Sequence, residues 1–360
     1  MTWYDRTTRH ASHVKGFLRK ILPFSWLPVL LLCMASCDWF IMPDQTATMP
    51  TLDPTIGRTE PTVPASPAPT TPATSPVLFT PPAVNRLIRG AYYAYTPIAD
   101  VPASYYTHIY HSFLHSDNNG RLLFNTRPAE GAASFADLAA PFVAHCHKGG
   151  AAAMLSLGGG MDKSFHTFTR DAAKRQAYAR AVVAVVKRYG YDGVDIDWEQ
   201  PGNAAEQRQW ASLVSELRAE LDALARADGK KYWLTAAVGT SKWNASWFDI
   251  PTIRTKLDFI NLMAYDYIGA WGGDPAGDQA ALETQRFGGH STRKGLEFWQ
   301  RRGIKPSQIV IGLPFYTRAC FGYKPGQIIQ RNSPSGKRVI SFGYDKFLAY
   351  AAQKRWTYRL

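Results

Sequence analysis

Apolar residues in this chain recur in short runs, separated by segments with helical spacing or by long loops. Seven such runs lie at residues 86–95, 108–115, 150–157, 193–198, 232–239, 259–265 and 309–315, and they read as strands. Residues 134–147, 171–189, 203–227 and 292–302 read as helices. The clearest is 171–189, where Tyr178, Val182, Val185, Val186 and Tyr189 fall on one stripe and Lys174, Arg175 and Arg180 lie mostly off it. Asp171 is placed to cap this helix and Gly190 to stop it. Alternating strand and helix predicts a parallel sheet with helices outside. Seven strands within 86–360 predict an α/β fold of the (β/α)8 TIM-barrel type, with a doubly wound sheet as the runner-up. No Gly-x-Gly-x-x-Gly follows the first strand, which argues against a dinucleotide site.

The first 84 residues follow a different pattern. Arg6, Arg9, Lys15, Arg19 and Lys20 precede an apolar run at 21–36, the order of a secretory signal. The run holds Pro23 and Pro28 and is short for a membrane span. It ends in Met34-Ala35-Ser36-Cys37, which resembles a bacterial lipobox. That resemblance implies cleavage after residue 36 and a lipid on Cys37, with Asp38 resembling an inner-membrane retention signal. An ordinary cleaved signal or an uncleaved anchor is the alternative. Residues 37–42 would then form the lipidated N-terminus. Of the 40 residues at 43–82, 11 are Pro and 10 are Thr, so 43–84 is expected to be an extended spacer. The folded domain is expected to span 85–360. The expected location is outside the cytoplasm, as a cell-envelope lipoprotein or otherwise secreted.

Composition changes this picture only at its edges. With 360 residues, 46% hydrophobic and 13% aromatic, the chain is too apolar to be wholly disordered. Four cysteines exclude a disulfide scaffold, and no Cys-x2-Cys pair suggests a structural zinc. Cys146 and Cys320 are candidates for a bridge in an oxidising compartment. His108, His111, His115, His145 and His147 form no coherent ligand pattern and read as structural. The net charge of +13 is uneven: residues 286–360 carry 15 Lys and Arg against 2 Asp and Glu. Such a tail could meet nucleic acid or an anionic surface. The preferred reading is a segment without its acidic counterpart.

Candidate chemistry concentrates in Asp192-Gly193-Val194-Asp195-Ile196-Asp197-Trp198-Glu199. On a strand, side chains alternate with period two, so Asp195, Asp197 and Glu199 share one face. In a barrel that face looks inward, toward the end where barrel active sites lie. Three close carboxyls cannot all ionise, and the outermost can keep its proton near neutrality and act as a general acid. Gly158, Gly159 and Gly160 permit a tight turn but no phosphate loop, since no Gly-Lys-Ser/Thr follows.

This carboxylate segment resembles the signature of glycoside hydrolase family 18, the chitinases. Further features recur in the family's order. Ser156-Leu157-Gly158-Gly159 resembles its third-strand motif, Met263-Ala264-Tyr265-Asp266 its sixth and Gly312-Leu313-Pro314-Phe315-Tyr316 its seventh. Tyr92 and Tyr93 fit the first strand and Phe113 the second. The resemblance covers residues 86–360. It implies retaining hydrolysis of β-1,4 bonds between N-acetylglucosamine units, assisted by the substrate's own acetamide. Glu199 would be acid and then base. Asp197 would orient the acetamide, and Asp195 would share a proton with Asp197. Tyr265 would donate to the acetamide carbonyl, and Asp266 would bind the distorted sugar. Tyr92, Phe113, Ser156, Gly158, Gly159, Met263, Trp271 and Tyr316 would complete the substrate site, with Trp243 and Trp247 as weaker stacking candidates. Ser156 could equally just end a strand, and Trp271 could be packing. No metal or organic cofactor is implied. The implied partner is chitin or its oligosaccharides, with a lipid anchor in the membrane, no nucleic acid and a monomeric state.

The end of the chain departs from the family pattern. Residues 319–360 resemble the start of an α+β insertion after the seventh strand, with 341–356 its clearest part, and no eighth strand follows. The expectation is a C-terminally incomplete barrel with two open edges and low stability. Other readings are an endo-β-N-acetylglucosaminidase on different glycans, a non-catalytic chitin-binding relative, and a binder of anionic surfaces through the basic tail.

Overall fold

The computed structural model describes residues 30–34, 87–94, 97–125, 133–160, 162–283, 289–332 and 336–343. Cys37, the 43–84 spacer and residues 344–360 of the insertion lie outside the described residues. Eleven strands are present among them: β1 (Leu30–Met34), β2 (Arg89–Tyr93), β3 (His108–Ser116), β4 (Leu122–Leu123), β5 (Ala152–Gly158), β6 (Gly193–Asp197), β7 (Trp233–Val238), β8 (Phe259–Leu262), β9 (Ile309–Leu313), β10 (Tyr316–Phe321) and β11 (Arg338–Gly343). The helices are α1 (Phe135–Gly149), α2 (Phe165–Phe168), α3 (Ala172–Tyr189), α4 (Ala204–Asp228), α5 (Lys242–Ala245), α6 (Ile250–Lys256) and α7 (Thr292–Arg301). All seven expected strands and all four expected helices form.

Helix ends follow from local chemistry. Asp171 accepts from the N–H groups of Ala173 and Lys174 at the start of α3, and Asn203 does the same for Ala205 and Glu206 in α4. Gly190 and Gly229 end these helices at φ 81° and 74°, where a Cβ would be strained. Both helices bury one stripe against the sheet. Val182 and Val186 of α3 and Leu213, Leu217 and Leu221 of α4 are fully buried in the layer between helices and strands. Truncating such a leucine to alanine costs about 2–5 kcal/mol.

The strands run parallel in the order β2–β1–β9–β8–β7–β6–β5–β3, and β3 pairs back onto β2. The interior of this ring holds Ile88, Tyr92, Tyr110, Met154, Trp233, Phe259 and Val310. No described strand after β9 joins the ring. Its eighth position is taken by β1, from the N-terminal apolar run. Leu32 stands opposite Gly90 on one side and Gly312 on the other. The edges of β2 and β9, expected to be open, are thereby both paired. The physical reason is that two exposed rows of N–H and C=O groups accept any extended apolar segment within reach. β10 and β11 form an antiparallel hairpin that starts at Tyr316, three residues before the expected insertion. It packs Cys320, Tyr323 and Val339 on Ile268, Ala276 and Ile329.

Leu32→Pro removes an N–H from the middle of β1 and is expected to lower unfolding stability by roughly 1–3 kcal/mol. Urea unfolding checks this, and an unchanged midpoint would show that the ring does not depend on β1.

Candidate active site

β6 sets the site. Its outward residues Val194 and Ile196 are fully buried against the helices, which forces Asp195 and Asp197 to the interior. Asp195 is fully buried and accepts four hydrogen bonds. Tyr92 Oη and Ser156 Oγ donate to Oδ2 at 2.9 and 2.8 Å. Thr235 Oγ1 and Asn261 Nδ2 donate to Oδ1 at 2.5 and 3.1 Å. Burial raises its carboxyl affinity for a proton, and these four donors oppose that rise. With both oxygens committed to neutral donors, Asp195 is the member of the row whose charge is best met, while burial still leaves its carboxyl raised.

Asp197 lies one step outward. Burial pushes its carboxyl well above the usual range, and the charges of Glu199 and Asp195 push it further. Its Oδ1 is buried without a hydrogen-bond partner. The Asp195–Asp197 pair therefore resists full ionisation and titrates as a unit. Glu199 follows β6 and is partly buried. Its carboxyl is raised to about 7, by burial first and by Asp266 second, while Lys163 acts in the opposite direction. The row thus runs from a carboxyl met by four donors at depth to an acid that holds its proton near neutrality at the mouth.

The expected neighbours largely converge. Tyr92 stacks on Tyr110 at 4.5 Å between ring centroids, with Phe113 tilted against it at 6.3 Å. Ser156 takes the hydrogen-bonding role rather than merely ending a strand. Gly158 and Gly159 act through space rather than through a side chain. A Cβ on Gly158 would stand 2.5 Å from the Asp197 carbonyl oxygen, and one on Gly159 would stand 2.9 Å from the Phe113 ring. Gly159 N–H also donates to that Asp197 carbonyl at 2.9 Å. Tyr265 meets Tyr316 edge-on at 6.1 Å. Burial, then Tyr316 and the three surrounding carboxyls, holds the Tyr265 phenol well above its usual range, so it keeps its proton. Met263 follows β8, its N–H bound to the Val238 carbonyl. Asp266 adopts φ 58°, an uncommon conformation for a residue with a side chain, and accepts from Arg318 Nε at 2.7 Å. Trp271 is 46% exposed with Arg318 at 4.8 Å above its ring. Trp243 is 80% exposed.

Other expectations part from the site. Tyr93 faces the outer layer, against Phe142 and His111, because it alternates with Tyr92. Cys146 and Cys320 both carry free thiols. Cys146 is buried in α1, while Cys320 lies on the β10 hairpin. The histidines have structural partners. His111 shares a hydrogen bond with the Tyr191 hydroxyl, His145 with the Val101 carbonyl and His147 with Asp192.

Four contributors escaped the sequence reading. Thr235 and Asn261 bind Asp195, and period-two alternation along β7 and β8 could have placed both inward. Lys163 acts on Glu199 from the loop after β5. Arg318 joins Asp266, Trp271 and Ser341, and only the β10 hairpin brings it there.

The chain matches Glycosyl hydrolases family 18 over residues 89–352. It is similar to "Chitinase 1" of Aphanocladium album, 28% identical over 240 residues, covering 61% of this chain and 57% of that protein. The chain therefore spans little more than half the length of that relative. Its fold is similar to a class V chitinase from Nicotiana tobaccum (TM-score 0.63, 22% identity, covering 75% of this chain and 80% of that one). It is also similar to the chitinase-like agglutinin RobpsCRA from Robinia pseudoacacia (TM-score 0.61, 22% identity, 72% and 79% covered). A graded carboxylate row on a central barrel strand, together with a match across 89–352, leads to one conclusion: this chain belongs to glycosyl hydrolase family 18.

Proposed function

We propose that the chain hydrolyses β-1,4 bonds between N-acetylglucosamine units of chitin or its oligosaccharides, with retention and with the substrate's acetamide as nucleophile. The observation that carries this reading is the graded row: Asp195 held by four donors, Asp197 with one buried unpartnered oxygen, Glu199 raised to about 7.

Glu199 delivers its proton to the glycosidic oxygen as the bond to the sugar breaks. The acetamide oxygen attacks the same carbon and closes an oxazolinium ring. Asp197 accepts from the acetamide N–H through its unpartnered oxygen and holds the group in line. As positive charge grows on the ring, Asp197 passes its proton toward Asp195 and becomes the countercharge. Tyr265 keeps its proton and donates to the acetamide oxygen, which fixes its direction of attack. Glu199, now ionised, takes a proton from water as that water opens the ring. Asp266 and Arg318 bind the sugar's hydroxyls beside this centre, and Trp271 offers an apolar face to a ring.

The N-terminal features support an exported enzyme tethered through a lipid on Cys37. Signal and barrel draw on the same residues: cleavage after residue 36 removes β1, so the tethered form lacks that strand and leaves the β2 and β9 edges unpaired by it.

Glu199→Gln keeps the side-chain shape and removes the acid. On a fluorogenic N-acetylglucosamine trisaccharide it is expected to lose about 10²–10⁴-fold in kcat. Oligosaccharide binding without turnover in the unaltered chain would instead identify a sugar-binding relative, a role suggested by the agglutinin's similar fold. Turnover only on glycoprotein or peptidoglycan glycans would identify an endo-β-N-acetylglucosaminidase.

The pH profile supplies a second check. Glu199 works protonated, so kcat/KM is expected to fall as pH rises through about 7. Lys163→Met removes a cation that favours ionised Glu199 and should move this limb to higher pH. Asp266→Asn removes an anion that opposes ionisation and should move it to lower pH, with a smaller amplitude. A limb that stays in place in both variants would mean that Glu199 is not the acid.

A further inference from the structure

The peptide that carries Glu199 is bracketed by one chain of hydrogen bonds. Trp198 precedes it, with its ring buried on the outer side of the barrel. That ring stacks on Phe165 at 5.4 Å and 12°, and meets His166 edge-on at 5.4 Å and 88°. The indole N–H donates to His166 Nε2 at 3.4 Å. An indole nitrogen can only donate, so His166 Nε2 must accept and the proton of the neutral ring sits on Nδ1. Nδ1 lies 3.1 Å from Glu206 Oε1 and donates to it. The other oxygen, Glu206 Oε2, accepts from the backbone N–H of Gly202 at 2.8 Å. Trp198 and Gly202 are the residues on either side of Glu199-Gln200-Pro201. One chain therefore runs Trp198–His166–Glu206–Gly202, pinning both flanks of the segment that holds the acid. It ties them to α2 on one side and to the first turn of α4 on the other.

We propose that His166 is a positioning residue for Glu199, acting through Trp198 on one flank and through Glu206 and Gly202 on the other. This rests on the reading of Glu199 as the proton donor. His166 does not touch substrate. Its two nitrogens, one accepting and one donating, couple a strand end to a helix start. General-acid transfer is sensitive to placement, and a shift of about 1 Å can cost about 100-fold. Nothing local singles out His166 along the chain, since its partners lie 32 and 40 positions away.

The test uses the full chain and two variants. His166→Phe keeps a ring against Trp198 and removes both nitrogens. His166→Gln restores an accepting oxygen for the indole and a donating N–H for Glu206. Kinetics on the trisaccharide are expected to show kcat about 10–100-fold lower in the Phe variant, with KM changed less than about threefold. The Gln variant is expected to recover most of kcat. A second measurement needs no turnover: the indole N–H resonance of Trp198, assigned with Trp198→Phe. It should shift and exchange faster with water in the Phe variant, and return in the Gln variant. Equal kcat in His166→Phe and the unaltered chain would overturn the proposal, as would an equal loss in both variants or an unmoved indole signal. If the unaltered chain does not hydrolyse the substrate, the hydrolase reading fails, and the indole signal still decides whether His166 holds Trp198.

Discussion

Asp195 is the group on which the rest of this site depends. A carboxylate with no solvent contact persists only if its lone pairs are met, and here donors arrive from β2, β5, β7 and β8. β5 and β7 flank β6 directly, whereas β2 and β8 reach Asp195 because the sheet curls. A second ionised carboxyl beside Asp195 is costly, so the Asp195–Asp197 pair resists full ionisation. Glu199, further out but still poorly solvated and facing Asp266, retains its proton to about 7. The gradient of acidity along one strand thus follows from depth, donor count and mutual repulsion, with no metal invoked.

Backbone placement serves the same end. The bare Cα of Gly158 lets β5 approach the Asp197 carbonyl more closely than a side chain would allow, and that of Gly159 leaves room for the Phe113 ring. Asp266 holds its left-handed conformation with Arg318 bound to its carboxylate. That ion pair links the sheet of the barrel to the β10–β11 hairpin, so the hairpin is part of the site's construction. The Trp198–His166–Glu206–Gly202 chain performs a related task on the outer side, where it fixes the segment between strand and helix.

Much of this was readable along the chain. Strands and helices fell where apolar runs and helical stripes placed them, and the caps Asp171 and Gly190 acted as their chemistry dictates. Period-two alternation put Asp195 and Asp197 on one interior face and separated Tyr92 from Tyr93. Thr235 and Asn261 follow the same rule. They passed unnoticed because a single buried threonine or asparagine looks like ordinary packing until its acceptor is known. Arg318 and His166 had no local signal at all.

The sequence by itself determined the alternation of elements, the inward row of carboxyls and the family resemblance, because each depends on neighbours within a few residues. Closure of the ring was a tertiary decision. Two strand edges with unmet hydrogen bonds took β1 as their partner, and nothing local in an N-terminal apolar run announces that pairing. The donor count along the row, the salt bridge to Asp266 and the bracketing of Glu199 were also settled only by the fold. Each depends on how many donors and charges a group meets at close range, and that number exists only once distant segments are packed together.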